Sequence, residues 1–244
     1  MSSRARRALL TAGWAGAAIL TLVAPGNLVM RLAFGKLDDP ALGRQVLFTA
    51  LGLALAMVTF AYGRRTGDPG DGPARWAVVV TWVAAGVPVL GFSAPHLLWG
   101  LGLPLGVGAG SRDGLGSLGG SAVYWALLVA GPVAGAVLTL GLISGWGRIV
   151  PAWVPVAGGR RVPRALAVLP PVVVGLLVGQ YGTMMTGCLA FGITRTCAPG
   201  GNNEALDGSW GFMATYPVFL LWGVSLLAAA VGRLGVTGPR VRVT

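Results

Sequence analysis

Charge is scarce in this chain. Only 10% of its 244 residues are Asp, Glu, Lys or Arg, whereas a soluble domain carries about 25% to cover its surface. With 55% hydrophobic residues and a mean hydropathy of +0.75, the composition is that of a bilayer-embedded protein. Histidine and cysteine are scarcer still. One His and two Cys cannot supply the several imidazole or thiolate ligands that zinc and haem sites bring to one ion, so neither a metal nor a cofactor is expected. Acids are few as well, seven against eighteen Lys and Arg, which leaves a net charge of +11. A basic chain reads as nucleic-acid-binding when its cations form one groove or stripe. Here they are scattered between apolar runs, so no nucleic-acid partner is expected and membrane lipids are.

Long apolar runs are what the chain has in abundance. A spanning helix needs about 20 apolar residues because the hydrocarbon core is about 30 Å thick. Six stretches qualify, over 8–24, 46–62, 76–92, 121–144, 165–187 and 212–232. No polar interval between them is long enough to bury a core of its own, so residues 1–244 read as one all-α integral membrane bundle. The first run, preceded by Arg4, Arg6 and Arg7, also has the layout of a cleaved signal peptide, although Val23-Ala24-Pro25 is a poor cleavage site.

Charge placement orients the chain, since loops kept in the cytoplasm hold the excess of Lys and Arg. With the N-terminus inside, Arg4, Arg6, Arg7, Arg64, Arg65, Arg75, Arg148, Arg160, Arg161, Arg164, Arg233, Arg240 and Arg242 fall inside with Asp68 and Asp71. Outside lie Arg31, Lys36, Arg44, Arg112 and Arg195 with Asp38, Asp39, Asp113, Glu204 and Asp207. The outer set cancels, so the whole +11 sits on one face. Both termini are expected in the cytoplasm of a multi-pass cell-membrane protein.

Two intervals stand out. The outer one, SAPHLLWGLGLPLGVGAGSRDGLGSLGG (93–120), is too apolar in its first half for a solvated loop. Residues 97–107 are expected as a re-entrant or interfacial piece, which survives at membrane depth only where protein or a watery cavity satisfies its backbone. The inner one, GWGRIVPAWVPVAGGRRVPR (145–164), has Pro151, Pro155 and Pro163 against a continuous helix and Trp146 and Trp153 suited to the headgroup level. Its Arg148, Arg160, Arg161 and Arg164 are expected to hold anionic lipid headgroups, at about 1 kcal/mol each. Gly158-Gly159-Arg160-Arg161 lacks Walker spacing.

The stretch GLISGWGRIVPAWVPVAGGRRVPRALAVLPP (141–171) resembles a motif of a group of uncharacterised polytopic membrane proteins of high-GC bacteria. That motif has Trp-Gly, a Pro-Trp-x-Pro turn, a Gly-Arg-Arg-x-Pro stretch and a Pro-containing helix. YPVFLLWGVSLLAAAVG (216–232) is similar to the group's terminal helix. Here Gly145 and Ala152 stand where that group more often has charged residues. The resemblance implies a fold family without an established activity, so it assigns no catalytic residue.

The six helix centres contain no Asp, Glu, Lys, Arg or His, and intramembrane ionisable groups are what proton- and sodium-driven transport usually relies on. A transporter is disfavoured on that ground, and the two halves show no sequence echo. Polar residues gather instead toward the outer half: Asn27, Arg31, His96 beside Trp99, and Gln180, Tyr181, Thr183 and Thr186. They are expected either to line one outer cavity for a small apolar or lipid-like molecule or a partner helix, or to hydrogen-bond neighbouring helices singly. His96 reads either as an acid, base or ligand contact or as an interfacial residue with a backbone partner. Ser93, His96 and Asp113 have triad chemistry without any spacing that supplies triad geometry. Asp38, Asp39, Glu204 and Asp207 are the acids a membrane enzyme would need to protonate an isoprenoid double bond, and they are equally ordinary solvated loop residues. Cys188 and Cys197 fall outside, where a disulfide can form. Gly131/Gly135, Gly141/Gly145 and Gly175/Gly179 have the spacing for close helix approach, although so glycine-rich a chain produces such pairs by chance.

Overall fold

The structure is a computed structural model, and it describes residues 3–26, 28, 32, 40–66, 74–108, 122–156, 158–192 and 209–235. These form an all-α bundle. Helix α1 (Ser3–Ala18) runs into a π turn, Ile19–Val23, and is followed by α2 (Leu42–Thr66). Helix α3 (Arg75–Gly100) is interrupted by a π turn at Pro88–Ser93; α4 (Ala122–Leu140), α5 (Arg164–Ala190) and α6 (Trp210–Gly235) complete the set. Five of these, α2 to α6, are long and apolar enough to cross a membrane.

The elements differ in extent from the runs read in the sequence. The 46–62 run lengthens to Leu42–Thr66 and the 212–232 run to Trp210–Gly235, because helix continues into polar flanks that hydropathy alone excludes. The 76–92 run continues to Gly100. Pro88 lacks an N–H and its ring crowds the preceding turn, and the π turn that begins at Pro88 absorbs the defect without ending the helix. Residues 97–100 therefore belong to α3, and only 101–108 are irregular, turning at Gly102 and Gly106 with φ of 81° and 70°. The 121–144 run ends early, at Leu140, followed by turns to Ser144.

The helices pack in the order α2, α1, α5, α6, α3, α4. Glycines set the closest approaches. A Cβ on Gly182 would strike the Leu220 backbone, and one on Gly223 would strike Gly179, so α5 and α6 touch backbone to backbone. The Gly175/Gly179 spacing thus marks a real interface, whereas a Cβ on Gly131 or Gly135 would meet nothing within 4 Å. At the ends of the row, α2 and α4 have only 11% of their apolar window buried, against 33–39% for α3, α5 and α6; their large exposed Leu, Val and Met side chains suit hydrocarbon rather than water.

Sequential helices alternate in direction. Gly13 faces Thr59 while Gly52 faces Thr21; Gly232 faces Ala77 while Gly91 faces Val218. One end of the bundle accordingly gathers the start of α1, the end of α2, the starts of α3 and α5 and the end of α6. At this arginine end sit Arg4, Arg6, Arg7, Arg64, Arg65, Arg75, Arg164 and Arg233, with Arg148 to Arg161 in the connection before α5; Arg44 lies at the opposite end.

Candidate functional site

The polar side chains of the helices are mostly consumed locally. Thr81, Thr139 and Thr183 return their hydroxyls to the carbonyls of Ala77, Gly135 and Gly179 four residues back, at 2.7, 2.8 and 2.7 Å. Gln180 is different. It is fully buried and its Nε2 donates to the Thr21 carbonyl at 2.9 Å and to Thr49 Oγ1 at 3.4 Å. The Thr21 carbonyl is in want of a donor because the residue four ahead is Pro25, which has no N–H. Gln45 Oε1 and Thr186 Oγ1 are buried without a partner among the described residues.

Tyr181, the next residue, faces the other way, with ring centroids 6.3 Å from Tyr216 and 5.7 Å from Phe219. His96 lies apart from both. Its ring stacks on Phe92 at 3.9 Å and approaches Trp99 at 4.8 Å, and its Nδ1 is 2.7 Å from the Phe92 carbonyl. A carbonyl only accepts, so Nδ1 bears the hydrogen, and the backbone-partner reading of His96 is the one the geometry matches. Ser93 donates to the Val129 carbonyl at 3.1 Å rather than to His96. Trp99 is buried, with its Nε1 on the Leu105 carbonyl at 3.0 Å, which folds 101–108 back onto the start of α6. The polar residues grouped in the sequence are therefore dispersed over separate helix contacts. Asn27, Arg31, Asp38, Asp39, Asp113, Glu204, Asp207 and Cys197 lie outside the described residues.

Two cavities lie elsewhere. The larger, of about 730 Å³, is a cleft between the α1–α2 hairpin and the α5–α6 pair, with walls that include Trp14, Met57, Phe60, Trp76, Leu176 and Leu227. Among the described residues, Thr21 is its one polar side chain apart from the tryptophan N–H groups. It exists because the hairpin meets α5 chiefly through the π turn and Gln180, leaving the hairpin splayed from α5–α6 toward the arginine end. A smaller groove of about 390 Å³ lies between Leu97–Leu101 and α4, beside Trp125. None of His96, Trp99, Gln180 or Tyr181 lines either cavity.

The third feature is the connection from α4 to α5. A 3-10 turn at Gly145–Gly147 leads into a short ladder: Val150 N–H donates to the Arg160 carbonyl, Gly159 N–H to the Val150 carbonyl and Val162 N–H to the Arg148 carbonyl, each at 2.9 Å. Arg160 and Arg161 are exposed on its returning side. At its tip Trp153 and Val156 are 82% and 90% exposed, and Val156 has φ of 67°, a left-handed conformation that β-branched residues avoid. Arg233 pins the base by donating from Nη2 to the Gly147 carbonyl at 3.0 Å. Sequence reading missed Arg233, since nothing in its helix signals a partner more than eighty residues away.

Compared with protein-family models, curated proteins and solved structures, the chain finds no match, and so nothing there bears on the resemblance seen at 141–171 and 216–232.

Proposed function

We propose that this protein is a multi-pass cell-membrane protein that holds the hydrocarbon chain of a lipid-like molecule in the cleft between α1–α2 and α5–α6. The observation that carries the reading is the cleft itself. Its volume of about 730 Å³ is in the range of about 300–1,000 Å³ typical of small-molecule sites. Water gains nothing there, because a buried water needs two to four polar partners and the walls are almost wholly apolar. A hydrocarbon chain supplies the dispersion contacts that an empty cleft forfeits. Met57 and Val224 on its rim are exposed, so the cleft opens sideways, toward lipid in a membrane. On this reading the binding site is in the arginine half, whereas the sequence suggested the outer half.

The same reading has α1 cross with the five longer helices and both termini in the cytoplasm; segregation of arginine to one end supports it. It also bridges Cys188 and Cys197. Cys188 is buried at the opposite end of α5, no cysteine among the described residues is free, and nine positions separate the two.

Native mass spectrometry of delipidated protein tests the cleft. Wild type retains a stoichiometric lipid-like adduct; Ala56→Trp and Ala228→Trp, which fill the cleft, lose it; Ala126→Trp in the smaller groove keeps it. A bare wild-type mass, or full retention by both cleft variants, overturns the reading.

A further inference from the structure

We infer that Arg148, Arg164 and Arg233 form a phosphate-binding site at the arginine end, built by the fold from three separated parts of the chain. Two hydrogen bonds bring them together. The Arg233 guanidinium is fastened to the Gly147 carbonyl at 3.0 Å, which puts it beside Arg148. The Val162 N–H is fastened to the Arg148 carbonyl at 2.9 Å, which puts the start of α5, with Arg164, on the same side. Arg148 and Arg164 each lie within electrostatic reach of the Arg233 guanidinium.

Like charges gathered at one place are unfavourable unless an anion joins them. The chain does not supply one for each: on the charge placement above, thirteen arginines share this face with two acids, Asp68 and Asp71. Arg148 and Arg164 are exposed, so their forks are free to turn onto an incoming group. Guanidinium pairs with phosphate through two parallel N–H···O bonds. The tip of the same connection adds a second element, since Trp153 and Val156 project an apolar, solvent-exposed surface of the kind that seats in the headgroup region. The ligand chemistry is therefore a phosphate ester, either on a lipid headgroup or free in solution. This site is independent of the cleft.

The test uses the full chain in detergent, with three probes: dihexanoyl phosphatidylglycerol, dihexanoyl phosphatidylcholine and inorganic phosphate. Binding is read by native mass spectrometry and by the rise in melting temperature. Phosphatidylglycerol binds wild type, and R148Q/R164Q weakens it about twenty-five-fold, at roughly fivefold per guanidinium. The equally charge-depleted R160Q/R161Q changes it much less. Both variants leave the Arg233–Gly147 bond in place, and their melting temperatures without ligand check that they fold. Saturation by inorganic phosphate in wild type but not in R148Q/R164Q assigns the site to soluble phosphate; binding of phosphatidylglycerol alone assigns it to a lipid headgroup. Equal binding of phosphatidylcholine, or equal loss in the two double variants, overturns the site, because charge spread over the whole end then explains the affinity.

Discussion

Gln180 and Thr21, 159 positions apart, are joined by a 2.9 Å hydrogen bond from the buried Gln180 amide to the Thr21 carbonyl. The bond links α5 to the π turn of α1. It fills the acceptor that Pro25 strands, since no N–H follows at the helical position.

Gln180→Leu removes that donor and leaves a buried carbonyl unpaired. The expected cost is about 1–3 kcal/mol for an orphaned buried group, nearer the low end in a membrane, where interhelical bonds measure about 0.6 and at most about 1.7 kcal/mol. Thermal unfolding in detergent should show the loss. The bond is dispensable if Gln180→Leu melts with wild type. Thr49→Val, which removes the 3.4 Å contact to Gln180 and the Thr49 hydroxyl's own bond to the Gln45 carbonyl at 3.0 Å but leaves the Gln180–Thr21 bond, should fall between the two.

Gly182→Leu is expected to be more damaging, because a side chain there meets the Leu220 backbone, which cannot rotate away. Overpacking of this kind costs about 1–3 kcal/mol or more. Gly131→Leu, with open space around the position, should leave the melting temperature within a degree or so of wild type. Similar losses at the two positions would mean that α5 and α6 do not meet as described.

The proposed topology predicts where fused reporters work. Green fluorescent protein joined after Thr244 should fluoresce, and alkaline phosphatase placed there should be inactive. Phosphatase inserted within 193–208 should be active. The opposite pattern would put the arginine end outside.

The proposed Cys188–Cys197 bridge predicts that denatured, unreduced protein takes up no alkylating reagent, and that reduction allows two additions per chain. Cys188→Ser should lower stability by about 2–3 kcal/mol, the entropy of closing a loop of about ten residues. Alkylation without reductant would show two free thiols.

Much of the fold was legible in the sequence because hydropathy and helix length are local properties. The runs at 46–62, 165–187 and 212–232 each lie inside an observed helix, and the prolines of 145–164 correctly forbade a helix there. The boundaries were less legible. Whether Pro88 ends a helix or is absorbed by a π turn depends on the neighbours that hold the turn, and Phe92 in that turn packs against Phe219 of α6 at 5.3 Å. The candidate site was least legible. Asn27, Arg31, His96, Gln180 and Tyr181 were grouped by depth along their helices, but depth does not state which way a side chain turns. Adjacent residues on a helix differ by about 100°, so Gln180 and Tyr181 face different neighbours. One signal was available: a proline four residues after Thr21 marks a stranded carbonyl.

By itself, then, the sequence determined the helical class, the apolar lengths and the gathering of arginine at alternate connections, since each follows from composition and spacing along the chain. Tertiary structure decided the rest. The packing order α2, α1, α5, α6, α3, α4 opens a cleft that no single segment contains, and the 3.0 Å bond from Arg233 to Gly147 assembles the arginine cluster. Both arise from which helix faces meet, a property of pairs of segments far apart in the chain.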